Sequence, residues 1–162
     1  MHIKVYIDRQ LMVLHLDDGS TLEYSVSTAS KGVGQQEGSW QTPLGKHLIR
    51  AKIGDGCPLH GVFESRRFTG EIYTPALKEQ YPGRTDWILS RILWLSGREP
   101  GFNRLGQVDT MRRYVYIHGS PDTAEMGKPG SRGCIRMRGK DIIDLYDRIE
   151  AGIHIDILPT YS

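Results

Sequence analysis

Ile3, Val5 and Ile7 alternate with Lys4, Tyr6 and Asp8, the period of two expected of a strand with one buried face. Apolar residues continue from Leu11 to Leu16, and Asp17-Asp18-Gly19-Ser20 then supplies a hairpin turn into a further strand from Leu22 to Ser27. Lys31 to Trp40 is polar and rich in Gly and Gln, a loop; Thr42-Pro43-Leu44-Gly45 reads as a tight turn into a strand from Lys46 to Ile53. Between Gly54 and Gly83, short apolar pieces are interrupted by Pro58, Pro75 and Pro82. That pattern predicts irregular structure with one short helix over Pro75 to Glu79. Trp87 to Leu95 is apolar, and its β-branched and aromatic content favours a buried strand over a helix. After a Gly/Pro/Asn loop from Glu99 to Gly106, Tyr114-Val115-Tyr116-Ile117 forms a strand that ends on His118-Gly119. Helical spacing occurs once: Ile142, Leu145, Tyr146 and Ile149 fall at i, i+3, i+4 and i+7, with Gly152 as the stop. Ile153, Ile155 and Ile157 then alternate with His154 and Asp156 as a final strand. The pattern predicts a mainly β fold with one or two short helices, forming a single domain over residues 1–162 without internal repeats.

Composition sharpens the class. Lys plus Arg number 21 against 19 Asp plus Glu, a net charge of +2, which excludes the strong basic footprint of a dedicated nucleic-acid binder. Hydrophobic residues make up 38% of the 162, enough for a core, yet no run of about eighteen apolar residues forms a membrane span. No nucleic-acid or membrane partner is therefore expected. No basic stretch followed by an apolar segment and a small-residue cleavage site opens the sequence, so the expectation is a cytoplasmic protein without a leader. In that compartment the two cysteines, Cys57 and Cys134, are expected as free thiols.

The residues able to do covalent work concentrate in one region. His118 closes a strand, and sixteen positions on comes Cys134, within Pro129-Gly130-Ser131-Arg132-Gly133-Cys134-Ile135-Arg136-Met137-Arg138. The reactive form of a cysteine is its thiolate, and imidazolium or guanidinium charge nearby lowers the thiol's pKa. Arg132, Arg136 and Arg138 flank Cys134, Gly130 and Gly133 leave its backbone open to close approach, and adjacent N–H groups are natural oxyanion donors. From residue chemistry alone a nucleophilic Cys134 and a small buried structural cysteine both remain open. Cys57-Pro58-Leu59-His60 offers half of a zinc spacing that His118 and Cys134 could complete, and a Cys57–Cys134 disulfide is a further alternative.

Ile117-His118-Gly119-Ser120 followed by Gly127-Lys128-Pro129-Gly130-Ser131-Arg132-Gly133-Cys134-Ile135-Arg136 resembles the signature of the YkuD-type L,D-transpeptidases. That family carries His-Gly-Ser/Thr, a spacer, then Ser-His-Gly-Cys, an apolar residue and Arg or Asn. Thr42-Pro43-Leu44-Gly45, Arg91-Ile92-Leu93-Trp94-Leu95 and the opening hairpin with Val26-Ser27-Thr28-Ala29 are similar to further parts of the family pattern. The resemblance implies a β-sandwich or open-barrel fold with the cysteine at the end of a cleft. It implies Cys134 as nucleophile, His118 as general base and acid, and the backbone carbonyl of Gly119 or Ser120 as orienter of the imidazole. It also implies the Gly133 and Cys134 N–H groups as oxyanion donors, and Arg136, with Arg132 and Ser131, at the substrate. Arg132 stands where the family most often has His. No cofactor and no metal are implied.

The implied substrates are peptidoglycan stem peptides or muropeptides. With no leader in the sequence, the expectation is an L,D-carboxypeptidase that removes the terminal D-Ala of tetrapeptide stems through a Cys134 thioester, as in cytoplasmic muropeptide recycling. The alternatives are an L,D-transpeptidase forming 3-3 crosslinks and, from another class, a non-catalytic module that binds stem peptides. A populated thiolate near neutrality would mark the enzyme. The arginine pairs Arg66-Arg67 and Arg112-Arg113 read as solvated faces, Trp40, Trp87 and Trp94 as core or rim, and Asp141 and Asp144 as acids favoured at a helix start.

Overall fold

The computed structural model describes residues Met1–Ser162. Its strands are β1 (His2–Tyr6), β2 (Leu11–His15), β3 (Thr21–Ser27), β4 (Gly45–Ile53), β5 (Gly61–Glu64), β6 (Arg67–Ile72), β7 (Ile88–Gly97), β8 (Tyr116–Ser120), β9 (Ile135–Arg138) and β10 (His154–Leu158). Two helices, α1 (Pro75–Gln80) and α2 (Gly139–Arg148), complete the regular structure with one 3-10 turn at Gly106–Val108. All ten strands join one sheet in the order β4-β10-β1-β2-β3-β9-β8-β7-β5-β6, and a further pairing of β4 with β7 closes it on itself. The fold is a mainly β barrel, and the β5–β6 hairpin projects from it along the first part of β7.

The long strand β7 makes that projection possible. Its first residues pair with β5 (Val62↔Leu89), while Ile92 to Gly97 pair with β4 on the same edge. Between the two lies a register shift, where Ser90 has φ +73° and its hydroxyl accepts the His60 N–H at 2.9 Å. A bulge of this kind turns a strand away from the curvature of its sheet.

The barrel core is built from the alternating apolar positions. Ile3, Val5, Met12, Leu14, Leu93, Ile117 and Ile155 are fully buried there, and α2 adds Ile142, Leu145 and Tyr146, with Ile149 just past its end. Burying one such side chain contributes about 1.5–3 kcal/mol, against a few tenths from helix propensity. Packing on β7, β8 and β9, rather than intrinsic preference, therefore fixes α2 in place. Thr74 caps α1 by accepting the Leu77 N–H at 3.1 Å, with Pro75 following in the first turn.

The expected irregular segment Gly54–Gly83 is instead largely a hairpin, for reasons its sequence conceals. β6 is exposed along its whole length and shows no hydrophobic alternation, while the first three residues of the short β5 are all buried. The turn residues Ser65 and Arg66 both take positive φ, 46° and 64°, without the Asn-Gly that normally announces such a turn. β9, only four residues long, has no counterpart among the expected strands, and the second-half strand begins at Tyr116 rather than Tyr114, whose φ is +55°. α2 starts at Gly139, ahead of the periodic Ile142, where Leu59 and His60 pack so closely that a Cβ would lie 2.8 Å from Leu59 Cδ1.

Gly119, beside His118, has no space for a side chain. A Cβ there would stand 2.5 Å from the Leu89 carbonyl oxygen on β7 and 3.1 Å from Ile142 Cγ2 on α2. Substitution G119A forces β7 and β8 apart, with an expected loss of about 1–3 kcal/mol in denaturant-induced unfolding. Unchanged stability would show that the two strands are not packed this closely.

Candidate active site

β8 and β9 run parallel in the register Ile117↔Ile135, His118↔Arg136, Gly119↔Met137. Side chains alternate, so Ile117, Ile135 and Met137 enter the barrel core while Tyr116, His118 and Arg136 share the opposite face. Cys134 closes the loop that feeds β9 and returns to that face, packing beside Tyr116 against Phe63 and Ile92. The Tyr116 N–H donates to Cys134 Sγ at 3.3 Å, and the thiol lies 3.6 Å from the Tyr114 carbonyl. His118 is fully buried, with Nδ1 2.7 Å from the Gly119 carbonyl oxygen. Since that oxygen can only accept, Nδ1 carries the proton, and Nε2 is left as a buried lone pair without a partner. The structure thus brings Cys134, His118 and Arg136 to one face, with the Gly119 carbonyl behind the imidazole.

The remaining expected residues are placed differently. Ser131, expected at the substrate, is buried; its hydroxyl donates to the Cys134 carbonyl at 2.5 Å and accepts the Gly133 N–H at 3.2 Å. It shapes the loop instead. Gly133 N–H is accordingly engaged, and of the two expected oxyanion donors only the Cys134 N–H makes no hydrogen bond in the fold. Thr42, from the Thr-Pro turn, donates its hydroxyl to the Gly133 carbonyl at 2.9 Å and accepts the Ala29 N–H at 3.0 Å, tying the loop to the first half of the chain. Arg132 is exposed, donates to Thr85 Oγ1 at 2.9 Å and stands 5.9 Å from the Trp40 ring. Arg136 Nη2 pairs with Asp86 Oδ1 at 3.0 Å, and Arg138 points out toward Asp141. The three arginines bracket the thiol in sequence more than in space.

Arg113 takes a place that sequence reading missed. Its Nη1 donates to the Gly34 and Gln35 carbonyls at 3.2 and 3.1 Å, and its Nη2 to Ser39 Oγ at 3.3 Å and the Gln41 carbonyl at 2.6 Å. It lines a cavity of about 260 Å³ together with Cys134, Glu37, Trp40, Arg112 and Tyr114. No local signal marks it, because its partners lie at least 72 positions earlier in the chain. Asp86 was missed for the same reason, being 50 positions from Arg136. Across the Arg132–Thr85 bond lies a second cavity, of about 250 Å³, lined by Lys78, Arg84, Trp87, Ser120 and Arg136.

The zinc and disulfide alternatives find no geometry. No three His, Cys, Asp or Glu side chains converge as a metal-ligating group, and both cysteines are free thiols. Cys57 packs half-buried beside the Phe63–Ile92–Tyr116 cluster, and His60 lies 3.4 Å from Asp122.

A family model describing the YkuD L,D-transpeptidase catalytic domain matches residues 1–157. The chain belongs to this family. Two relatives whose names carry L,D-transpeptidase YkuD match over short stretches. That of Bacillus licheniformis is 35% identical over 48 residues, 30% of this chain and 29% of the relative. That of Bacillus subtilis is 39% identical over 46 residues, 28% of each. Among solved structures, an L,D-transpeptidase from Xylanimonas cellulosilytica gives a TM-score of 0.58 at 15% identity, covering 96% of this chain and 58% of that one. The L,D-transpeptidase of Enterococcus faecium gives 0.57 at 16%, covering 97% and 49%. The chain therefore spans under two thirds of the length of these relatives, and at such identities the structural likeness is one of fold.

In this L,D-transpeptidase domain the flanking arginines do not poise a thiolate, contrary to the sequence expectation. Burial dominates and pushes Cys134 up to about 12, with Asp86 acting the same way; the Tyr116 N–H and the charges of Arg136 and Arg113 pull against it. Burial also lowers His118 from its ordinary value, aided by Arg136 and opposed by Asp86 and the Gly119 hydrogen bond. Near neutrality the shared face thus carries a thiol and a neutral imidazole, the starting state for general-base activation, so a thiolate populated at rest is not the mark that separates an enzyme from a binding module here. Alkylation of Cys134 by iodoacetamide, followed by peptide mass, should keep rising through the alkaline range; a plateau near neutrality would contradict this electrostatic balance. Because His118 is depressed, it stays neutral on the acid side of neutrality, so the acid limb of turnover should lie below about 6.5.

Proposed function

We propose that this chain is a cysteine acyl-transfer enzyme acting on peptidoglycan stem peptides, and that its first activity is L,D-carboxypeptidation of tetrapeptides. The observation that carries this reading is the imidazole of His118, held on the Gly119 carbonyl through Nδ1 with Nε2 unpartnered, on the face it shares with Cys134. In this reading Nε2 takes the thiol proton as Sγ attacks the carbonyl at the L-centre of the diamino acid. The Cys134 N–H, unengaged in the fold, stabilises the oxyanion. The imidazolium then returns its proton to the departing D-Ala nitrogen, leaving a thioester, and the same nitrogen deprotonates the water that hydrolyses it. Arg136, part-buried on the same face, is the clamp for a substrate carboxylate.

Soluble stem peptides or muropeptides inside the cytoplasm are the substrates in this reading, and Arg112, Arg113 and Arg132 around the cavity suit a ligand bearing several carboxylates. The second cavity favours the alternative, a transpeptidase whose acceptor stem enters from the side of Lys78 and Arg84.

Incubation with a single tetrapeptide should yield tripeptide and free D-Ala, read by mass spectrometry. Crosslinked dimer with no tripeptide would replace the carboxypeptidase by the transpeptidase. C134A should abolish both products, H118Q should slow them by about 10²–10⁴-fold, and R136Q should raise KM. Retained activity in C134A would end the thioester mechanism. A carbapenem should add its intact mass to Cys134 and to no other residue.

A further inference from the structure

Two guanidinium groups act on the Cys134 thiol, and their charges are differently engaged. Arg136 on β9 lies 3.0 Å from the Asp86 carboxylate, so its charge is offset by an acid that itself opposes thiol ionisation. Arg113, on the approach to β8, takes part in no ion pair in the chain. Its four hydrogen bonds all go to neutral acceptors, three carbonyls and one hydroxyl of the segment 34–41. Carbonyl dipoles satisfy its donors without cancelling its charge. The same bonds fix the segment bearing Glu37 and Trp40, which forms one wall of the cavity at the thiol.

We infer that Arg113 is a positioning residue of this site: its charge, engaged in no ion pair, stabilises the thiolate as His118 withdraws the proton, while its fork holds the 34–41 wall over Cys134. Arg136 also favours the thiolate, but its guanidinium is shared with Asp86, which disfavours it; Arg112 and Arg132 line the same cavity but are exposed to solvent, which screens their charge. Burial keeps the Tyr116 phenol neutral, and Arg66 from the β5–β6 turn is bound to its hydroxyl at 3.0 Å. Glu37 and Asp86 are acids, and Arg136 is paired. His118 gains its charge only by taking the thiol's proton. A cation half-buried in the protein is little screened by salt, so its effect on an adjacent buried group persists at physiological ionic strength.

The inference rests on Cys134 being the nucleophile, but alkylation requires no peptide, so the two can fail separately. Cys134 alkylation by iodoacetamide is followed by peptide mass across pH in wild type, R113Q and R113K. Gln keeps amide donors for the loop carbonyls without the charge; Lys keeps the charge without the fork. The expected result is a profile displaced upward by about one pH unit in R113Q, with R113K within a few tenths of wild type. Equal displacement of both variants, or of neither, would overturn the electrostatic role. Should R113Q not fold, R113M serves instead: a profile displaced above that of R113K supports the electrostatic role, and coincident profiles of the two variants would overturn it. Loss of D-Ala release in R113Q with the profile displaced supports it; a displaced profile together with D-Ala release by C134A would instead remove Cys134 from the reaction.

Discussion

A parallel strand pair places residues opposite one another at a single register, and here the pairing of β8 with β9 sets His118 against Arg136. Shifting either strand by one residue would send the imidazole into the barrel core and bring an apolar side chain to the cleft. That register is held from the other face. Ile117, Ile135 and Met137 are fully buried against α2 and the facing strands, and each would be displaced by a slip. Gly119 lets β7 close on β8, and the Ser27–Lys128, Ser30–Ser131 and Thr42–Gly133 contacts tether the long β8–β9 connection at several points. The position of the catalytic face is thus a consequence of core packing behind it.

The same packing sets the chemistry. A thiol seated against Phe63 and Ile92 and an imidazole at zero exposure are both driven toward their neutral forms, because low-dielectric surroundings penalise either charge. A neutral pair has a consequence for the proposed reaction: in that reading the proton moves from sulfur to nitrogen within the site, and the charges appear only as the reaction proceeds. Fixed groups aimed at those developing charges then matter more than any ion present at rest. The Tyr116 N–H at the sulfur, the Gly119 carbonyl behind the imidazole and the unengaged Cys134 N–H are all backbone groups. They keep their orientation through the reaction at no side-chain entropy cost.

What could be read from sequence follows from how local each feature is. The β1–β2–β3 meander, β4, β10 and both helices announce themselves through alternation, turn residues or helical spacing over a few positions. The β5–β6 hairpin does not, because β6 faces solvent on both sides and its turn uses Ser65-Arg66 in a conformation those residues seldom adopt. Cys134 and His118 were recognisable because they sit in one short motif, and Gly119 because its carbonyl is next in the chain. Asp86 and Arg113 were not, since each meets its partners only after the barrel closes. Arg113 in particular looks like half of a surface Arg-Arg pair, and only its partner Arg112 is exposed. The electrostatic expectation erred on the same ground: charges counted along the chain do not include the burial that outweighs them.

Arg132, where the sequence departs from the family pattern, makes its contacts away from His118 and the thiol. The side chain at this position is exposed, reaching Thr85 on one side and the rim of Trp40 on the other. Neither the Nδ1–carbonyl bond of His118 nor the Tyr116 contact to the thiol involves it. A guanidinium there cannot act as a second proton carrier, since it stays protonated at any pH the protein survives. It does span the boundary between the two cavities, so its length and charge bear on what can lie across that boundary. An exposed hydrogen bond and a distant ring contact each contribute little on their own, so the arginine is held only weakly at that boundary. The position belongs to the rim of the thiol cavity and not to the face that His118 shares with Cys134.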